Sequence, residues 1–209
     1  MPTGVAVENA SRATSATAEA MRERILIAAG ELVDRFTVAK TTMEDVAKAA
    51  GIARQTVYKH FRGKEDLLIG LFVQQMEQKQ HPKLRKLGNR KPSVANLVTL
   101  FLTELELARQ FSHYNGTLDP LVAPQMAELV FHSSALLETR ESLWLPILER
   151  YRAADVVRSD LDPRSIVRWI TYQEFWLLTH PTVLCEDITT LRYFVKEFII
   201  GALLRRDAP

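Results

Sequence analysis

The amino-acid sequence predicts an all-α protein, with an N-terminal three-helix domain that contains a helix-turn-helix and a C-terminal helical bundle. Apolar residues recur at spacings of three and four over most of the chain, as in Met21, Ile25, Leu32 and Phe36. The sequence has neither the alternating pattern that is typical of β-strands nor an internal repeat. The predicted divisions are a mobile arm over 1–16, a helix-turn-helix domain over 17–64 and a second helical domain over 65–209.

The composition is typical of a globular protein. Of the 209 residues, 47% are apolar and 25% are charged, and the formal net charge is only +2. Any nucleic-acid footprint must therefore be a local basic patch. The one cysteine, Cys185, excludes an intramolecular disulfide framework. No apolar run approaches the roughly 20 residues that span a bilayer, and a secretory signal is lacking, so we expect a cytoplasmic protein without membrane contact.

Patterns for catalysis and metal binding are missing from the sequence. The five histidines include no pair four residues apart on one helix, and no Glu-x-x-His pattern is present. A phosphate-binding loop and a nucleophile elbow are also missing. We therefore expect no enzyme activity, no cofactor and no metal.

A helix-turn-helix is predicted in the first third of the chain. Thr41 or Thr42 can cap its first helix by accepting a hydrogen bond from a free backbone N–H group. Gly51 is suited to end that helix, because glycine tolerates the positive φ found just beyond helix ends. A short second helix follows at about 54–60, with Val57 facing inward. Two short helices that meet at a tight turn are typical of DNA-binding domains.

The second helix and its surroundings are basic. The stretch from Val46 to Lys64 contains five positive residues and no acidic residue. The five positive residues are Lys48, Arg54, Lys59, Arg62 and Lys64. A basic patch in a nearly neutral chain suits a phosphate backbone, although a solvated basic face is the ordinary alternative. The helix-turn-helix spacing favours DNA binding.

The start of the second helix offers side chains that can read bases. Arginine can pair with guanine and glutamine with adenine in the major groove, so Arg54 and Gln55 are suited to this role. Lys64 begins the next helix, where free N–H groups also favour a phosphate. The candidate DNA contacts are therefore Arg54, Gln55, Thr56, Tyr58, Lys59, His60 and Lys64.

These features resemble the DNA-binding signature of the TetR/AcrR family of repressors over about residues 20–70. The matching positions are Thr42, Ala47, Gly51-Ile52, Val57-Tyr58, His60-Phe61 and Lys64-Glu65-Asp66-Leu67. The resemblance implies DNA-backbone contacts for Thr42, Tyr58, His60 and Lys64. It implies base contacts for Arg54 and Gln55, and either role for Lys59.

One position departs from the family pattern. The family often has serine after Gly-Ile, where this chain has Ala53. A serine would cap the recognition helix and could touch a phosphate. Alanine cannot cap, and the loss costs about 1 kcal/mol.

Helical patterns continue through the second half of the chain. The fourth helix is predicted to reach about residue 80, and the basic stretch over 83–92, which contains proline and glycine, is the predicted internal boundary. Asp162-Pro163 is a helix start signal, with aspartate as cap and proline at the first helical position. Helices are predicted at about 93–112, 119–137, 139–155, 163–179 and 187–205.

The last two predicted helices are apolar around nearly their whole circumference. Such helices must be buried on more than one side, and one domain of this size cannot easily cover both. A self-complementary four-helix contact between two copies would cover them. The alternative is that both are central core helices of a monomer. The family resemblance implies a C-terminal domain for ligand binding and dimerisation, with the last two helices at the dimer interface.

Aromatic and polar side chains are mixed in the middle helices, which is typical of small-molecule pockets. The candidate ligand residues are Phe111, His113, Phe131, Trp144, Tyr172, Gln173 and Trp176. For each of them, ordinary core packing is the alternative. We predict a repressor that binds a palindromic operator as a homodimer and is released by a small, largely apolar effector. The rival is an all-α enzyme or ligand-binding protein whose helix-turn-helix is only scaffold.

Overall fold

The computed structural model describes residues 4–115, 132–180 and 187–205, with side chains described over 14–111 and in the two later ranges. Its helices are α1 (Gly4–Lys40), α2 (Met43–Ala49), α3 (Arg54–His60), α4 (Lys64–Gln75), α5 (His81–Gly88), α6 (Val94–Asn115), α7 (Ser134–Ala153), α8 (Pro163–Thr179) and α9 (Ile188–Phe194). These ranges contain no β-strand, which confirms the predicted all-α fold. None of the helices described is long and apolar enough to cross a membrane.

The first of two compact units comprises residues 1–71. Small residues such as Ala29 and Ala47 let α1, α2 and α3 pack closely. Its buried apolar residues are Ile25, Leu26, Ala28, Ala29, Val33, Val38, Met43, Val46, Ala47, Ala50, Val57, Phe61, Leu67, Leu68 and Leu71. Three leucines of α4 belong to this core, so the unit extends beyond residue 64, where the sequence analysis placed the end of the domain.

Helix α1 differs from the expectation at both ends. It begins at Gly4, so residues 4–16, predicted to be a mobile arm, are helical. This stretch is rich in alanine, and extending an existing helix is far easier than nucleating one. Near the other end, Thr37 has a φ of 71°, which interrupts the helical backbone. Phe36, the last residue of the periodic apolar pattern, is 42% exposed, and the guanidinium of Arg35 lies 4.9 Å from its ring centroid.

The chain between α4 and α6 remains helical where an end had been predicted. A π-helical turn at Met76–Gln80 leads directly into α5, and Pro82 is accommodated in the first turn of α5. Leu84 is fully buried, so apolar burial holds this basic segment in a helix. The chain leaves the helix only after Gly88, where an added Cβ would lie 2.5 Å from Ile147 Cδ1.

The second unit, residues 72–209, has its own core between α5, α6, α7, α8 and the segment over 191–203. Its largest fully buried side chains are Leu84, Leu97, Leu100, Phe101, Leu105, Leu143, Trp144, Leu148, Tyr151 and Ile166. Asp162 caps α8 by accepting a hydrogen bond from Ser165 N at 2.8 Å, as predicted. Residues 134–137, predicted to end one helix, instead begin α7, and most of the helix predicted over 119–137 lies outside the described residues.

The helix predicted over 187–205 ends in three different helical geometries. The seven-residue α9 continues as a π-helical turn over Val195–Ile200 and a 3-10 turn over Gly201–Leu203. The chain then pairs with the loop after α7, where Arg158 N donates to Leu203 O at 3.0 Å. Residues after α7 and after α9 are thereby tied together inside this unit.

Candidate nucleic-acid interface

The entry into α2 is held by a reciprocal capping box. Thr42 Oγ1 accepts a hydrogen bond from Asp45 N at 3.2 Å, while Asp45 Oδ2 accepts one from Thr42 N at 3.3 Å. Hydrogen bonds from Thr42 also hold the pKa of Asp45 below its usual value. Of the two residues predicted to cap, Thr42 does so, whereas Thr41 is buried and donates to Thr37 O. Thr42 therefore sits exposed at the helix start, with its hydroxyl already oriented.

The turn between α2 and α3 depends on glycine. Gly51 has a φ of 63°, as predicted, and Ile52 N donates to Ala47 O at 3.0 Å to close the end of α2. Ala53 occupies the N-cap position of α3 and supplies no side-chain cap. The free N–H groups at the start of α3 consequently have no competing side-chain acceptor from their own cap residue.

Supplying the missing N-cap side chain of α3 should stabilise the protein. Ala53→Ser is expected to raise the free energy of unfolding by about 1 kcal/mol, because the serine hydroxyl can accept from an N–H group of the first turn. Urea denaturation at neutral pH measures the change. Ala49→Ser, at an exposed position inside α2, is the matched control and should lower stability slightly. A serine at 53 that gives no gain would contradict the cap geometry described for α3.

One face of helix α3 packs against the core of the first unit, and the opposite face, called the open face below, is exposed. Val57 and Phe61 have no exposed surface and fix the helix to the core of the first unit. Arg54, Gln55, Tyr58 and Lys59 are exposed, at the helical spacing that places side chains on one face, and Thr56 and His60 are half-buried beside them. The structure therefore brings Arg54, Gln55, Tyr58 and Lys59 to one exposed face, whereas Thr56 and His60 lie partly buried at its edge.

Two of these residues interact with each other. Arg54 Nη2 donates to the Tyr58 hydroxyl at 3.4 Å, and its guanidinium lies 5.4 Å from the centroid of the tyrosine ring. The two side chains are one helical turn apart, so the contact orients both before any ligand arrives. A residue assigned to bases is thus coupled to one assigned to the DNA backbone.

One positive charge of the basic stretch is paired with an acidic residue outside the stretch. Lys48 Nζ lies 2.9 Å from Glu44 Oε1, and the hydrogen bond from Lys48 is the main reason that the pKa of Glu44 falls below its usual value. Glu44 lies just outside the stretch from 46 to 64, so a count of charges within the stretch missed it. The spacing of four residues along α2 was the available signal.

Lys64 has a structural partner. Its ammonium group donates to Ala39 O at 3.2 Å, which ties the start of α4 to the end of α1. Partial burial lowers the pKa of this lysine. An ammonium group has three donors, so two stay available for a phosphate while the contact with Ala39 is kept.

Sequence reasoning missed the residue that anchors the end of α3. Arg22 of α1 donates from Nη1 to His60 O at 3.0 Å, and its guanidinium lies 4.1 Å from the centroid of Phe61. A cation at a helix C-terminus satisfies a free carbonyl and the negative end of the helix dipole. The sequence contains no signal that predicts this contact, because the two residues are 38 positions apart.

The predicted ligand residues of the second unit do not share one environment. Trp144 is fully buried, whereas Tyr172 and Trp176 are exposed on α8, and Gln173 is half-buried. Phe111 packs edge-on against Phe72, with ring centroids 5.4 Å apart. The side chains of His113 and Phe131 lie outside the described residues. Periodicity did not separate these positions, because a helix that is apolar all round has no obvious inner face.

A buried ionic cluster in the second unit also escaped prediction. Arg140 Nη1 of α7 lies 3.2 Å from Glu104 Oε1 of α6 and 2.7 Å from Glu174 Oε2 of α8. Trp144 Nε1 donates to Glu104 Oε2 at 3.0 Å. All four residues are buried. The cluster joins three helices through charges that are shielded from water.

The first unit contains a segment that matches a known protein family. Residues 25–71 match the family model described as "Bacterial regulatory proteins, tetR family". The chain is 38% identical over 72 residues to the HTH-type transcriptional regulator SrpR of Pseudomonas putida, a match that covers 34% of this chain and 32% of SrpR. It is 39% identical over 57 residues to the regulator AcrR of Shigella flexneri, covering 27% and 26% of the two chains. The matches thus span about a third or less of these relatives.

Solved structures resemble the chain over most of its length. FadR of Thermus thermophilus, a TetR-family transcriptional repressor, has a TM-score of 0.62 and 25% identity, over 90% of this chain and 98% of FadR. The TetR-family repressor AlkX of a Dietzia strain has a TM-score of 0.61 and 20% identity, over 88% and 97% of the two chains. The second likeness is one of fold alone.

The relatives named here are transcriptional regulators and not enzymes, as predicted for this chain. The family match covers α2, the Gly51 turn and α3, which are the elements that form the candidate DNA surface. Residues 25–71 therefore form the helix-turn-helix segment of the TetR family of bacterial regulatory proteins, and the chain is similar to TetR-family transcriptional regulators.

Proposed function

We propose that this regulator is a repressor that binds a palindromic operator as a homodimer and is released by a small, largely apolar effector. The observation that carries the proposal is the open face of α3, pinned from behind by Val57 and Phe61, within the segment that matches the family model. A recognition helix held in this way can enter the major groove with little rearrangement.

The DNA contacts follow from position on this surface. Arg54 and Gln55, at the N-terminal end of α3, are proposed to read bases together with Thr56. The proposed backbone contacts are Thr42, Tyr58, His60 and Lys64, and Lys59 serves either role. Thr42 and Lys64 begin α2 and α4, where backbone N–H groups add to phosphate binding.

Dimerisation is supported by apolar residues that one copy leaves exposed on its last two helices. Trp169, Tyr172 and Trp176 project from α8 at the three- and four-residue spacing of one helix face. Phe194 links them to the next segment, with ring centroids 6.5 Å from Trp176 and 5.3 Å from Phe198. The exposed aromatic face comprises Trp169, Tyr172, Trp176, Tyr193 and Phe198, together with Ile188. Burial of such a face against a second copy accounts for large apolar side chains on the outside.

The effector is proposed to bind the second unit. The Thermus thermophilus FadR structure is a complex with lauroyl-CoA, which carries a long apolar chain. At 25% identity over nine-tenths of this chain, that relative supports an effector with an apolar body. The candidate residues proposed to line the site are Phe111, His113, Phe131, Trp144 and Gln173, whereas Tyr172 and Trp176 are assigned to the exposed aromatic face. An effector must bind the DNA-free form more tightly than the DNA-bound form in order to release the operator.

Selection from random duplex DNA tests the proposal. With non-specific competitor at near-physiological salt, the purified protein is expected to enrich one inverted repeat whose half-site centres lie about one helical turn apart, or roughly 34–36 Å. Because co-purified effector would mask binding, the selection is repeated after denaturation and refolding. Enrichment of no sequence in either case, with turnover of a metabolite, would favour the all-α enzyme instead.

Two substitutions in the same assay separate base reading from backbone binding. Arg54→Ala is expected to relax the preference at one base position in each half-site, because the bidentate contact with a base is lost. Lys59→Ala should weaken binding to all sequences alike and reduce the slope of log affinity against log salt by about one. Equal effects of both variants on base preference and on salt dependence would contradict the assigned roles.

A further inference from the structure

One edge of the buried Arg140 guanidinium has no hydrogen-bond partner among the residues that the structure describes. Its Nη1 atom interacts with both Glu104 and Glu174, at 3.2 and 2.7 Å. Its Nε and Nη2 atoms are buried and have no hydrogen-bond partner in the part of the chain that the structure describes. These two nitrogens form the edge whose parallel N–H groups bind oxygen acceptors in a bidentate manner. Leaving buried charged donors unpaired is unfavourable, so this edge favours any group that supplies an acceptor.

The charge around this edge indicates which acceptor fits. Burial raises the pKa of Glu104 to about 8, against the opposing effect of Arg140, and burial also raises the pKa of Glu174. Near neutral pH, Glu104 therefore holds a proton, and Glu174, whose Oε2 lies 2.7 Å from Arg140 Nη1, is the carboxyl group placed to balance the charge of Arg140. An added carboxylate would place an uncompensated negative charge in this buried region, whereas a neutral carbonyl oxygen would not.

A second buried polar side chain, also unpartnered within the described ranges, lies within electrostatic range of Arg140. His81 of α5 is buried, and neither ring nitrogen has a hydrogen-bond partner in the described residues. Burial, followed by the charges of Arg85 and Arg140, lowers the pKa of His81 to about 4, so the ring is neutral at pH 7. A neutral imidazole offers one donor and one acceptor, which again suits an uncharged polar group.

We propose that the Nε/Nη2 edge of Arg140 is the polar anchor for a neutral carbonyl group on an effector with an apolar body. The inference rests on the proposed function, because it assumes that the second unit binds an effector. Both nitrogens are closed to solvent in the form described, so a carbonyl that reaches them must be accompanied by a rearrangement of the helices around Arg140. Such a rearrangement supplies the unequal affinity for two forms that release of an operator requires.

The test compares head groups on matched apolar bodies. Straight-chain decyl, phenylpropyl and naphthyl probes, each made as a carboxamide, a carboxylate and an ammonium compound, are titrated into the full-length protein by calorimetry. For at least one body, the carboxamide is expected to bind about tenfold or more tightly than its two charged analogues, since a hydrogen bond to a charged donor is worth about a factor of ten or more. Tighter binding of the carboxylate, equal binding of all head groups, or no binding of any carboxamide at 1 mM would overturn the proposal.

Substitutions assign the preference to the proposed edge. Arg140→Lys keeps a positive charge for Glu104 and Glu174 but removes the two-donor edge, so the carboxamide preference is expected to fall to within about threefold. Arg168→Lys, at an exposed position on α8, is the matched control and should keep the wild-type preference. An undiminished preference in folded Arg140→Lys would refute the assignment. If that variant does not fold, Arg140→Met is used in its place. The order of head-group affinities measured with the wild-type protein tests the proposal in either case.

Operator binding by the wild-type protein separates two kinds of failure. If the wild-type protein binds its selected operator but shows no head-group preference, the proposed function stands and the Arg140 anchor is refuted. If the protein binds no operator, the proposed function itself is refuted.

Discussion

Replacing Tyr193 and Phe198 together with glutamate is expected to convert the protein to monomers and to lower operator affinity at least a hundredfold. The two side chains are 61% and 58% exposed in one copy, and their rings meet edge to face with centroids 6.4 Å apart. Burying a large apolar side chain contributes about 1.5–3 kcal/mol, and two-fold symmetry counts each substitution twice. Four buried carboxylates would add a further penalty, so the proposed interface should not survive.

The loss of operator affinity follows from geometry. A dimer engages two half-sites at once, whereas a monomer keeps the contacts of one recognition helix. Analytical ultracentrifugation measures the mass of the protein in solution, and binding to the selected inverted repeat measures the affinity. Glu197→Gln, also exposed and located between the two aromatic residues, is the matched control and should remain dimeric. A double variant that stays dimeric with full operator affinity would place the dimer interface elsewhere.

Replacing Glu104 with glutamine is expected to remove most of the decline in stability between pH 6.5 and pH 9. The folded protein raises the pKa of Glu104 to about 8 from an ordinary value near 4.5, mainly through burial. The folded state therefore holds a proton that the unfolded state has released, and this contribution to stability is complete below pH 4.5 and lost as pH rises through 8. Glutamine can still accept the hydrogen bond from Trp144 and has no proton to lose.

The size of the effect follows from the same shift. One pKa unit corresponds to about 1.4 kcal/mol, and about 1.5 units separate pH 6.5 from the folded pKa of about 8. Between pH 6.5 and pH 9, the wild-type free energy of unfolding should therefore fall by about 2 kcal/mol more than that of the variant. Urea denaturation at pH 6.5, 7.5, 8.5 and 9 measures the difference. Glu106→Gln, exposed on the same helix, should leave the wild-type decline unchanged. A Glu104→Gln variant with the same pH dependence as wild type would mean that Glu104 is already ionised at neutral pH.

His81 sets the lower limit of that pH range. Its folded pKa of about 4 lies below the ordinary 6.5, so the unfolded chain takes up a proton first as pH falls. The resulting contribution is complete above pH 6.5 and is lost as pH falls towards 4. Because the sign is opposite to that of Glu104, the two effects oppose each other below pH 6.5, and only measurements above it isolate the carboxyl group.

The DNA-binding segment was predictable from the sequence because its determinants are local. A capping side chain, a glycine at positive φ and a short basic helix act within a few residues of one another, and the structure has all three at Thr42, Gly51 and Arg54–His60. The Asp162-Pro163 start signal also succeeded, since helix capping involves residues within a single helical turn. Predictions from neighbouring residues failed where burial against distant parts of the chain decides the structure. The chain remains helical past Pro82, for example, because Leu84 is buried.

The sequence by itself determined the all-α fold, the helix-turn-helix and its resemblance to the TetR family, because helical periodicity and capping chemistry depend on neighbouring residues. Tertiary structure alone decided that Arg22 anchors the end of α3 and that Lys64 holds the end of α1. It alone assembled Glu104, Arg140 and Glu174 from three helices. The physical reason is that charge pairing and desolvation depend on which distant side chains meet in a water-free interior, and sequence spacing carries no information about that meeting.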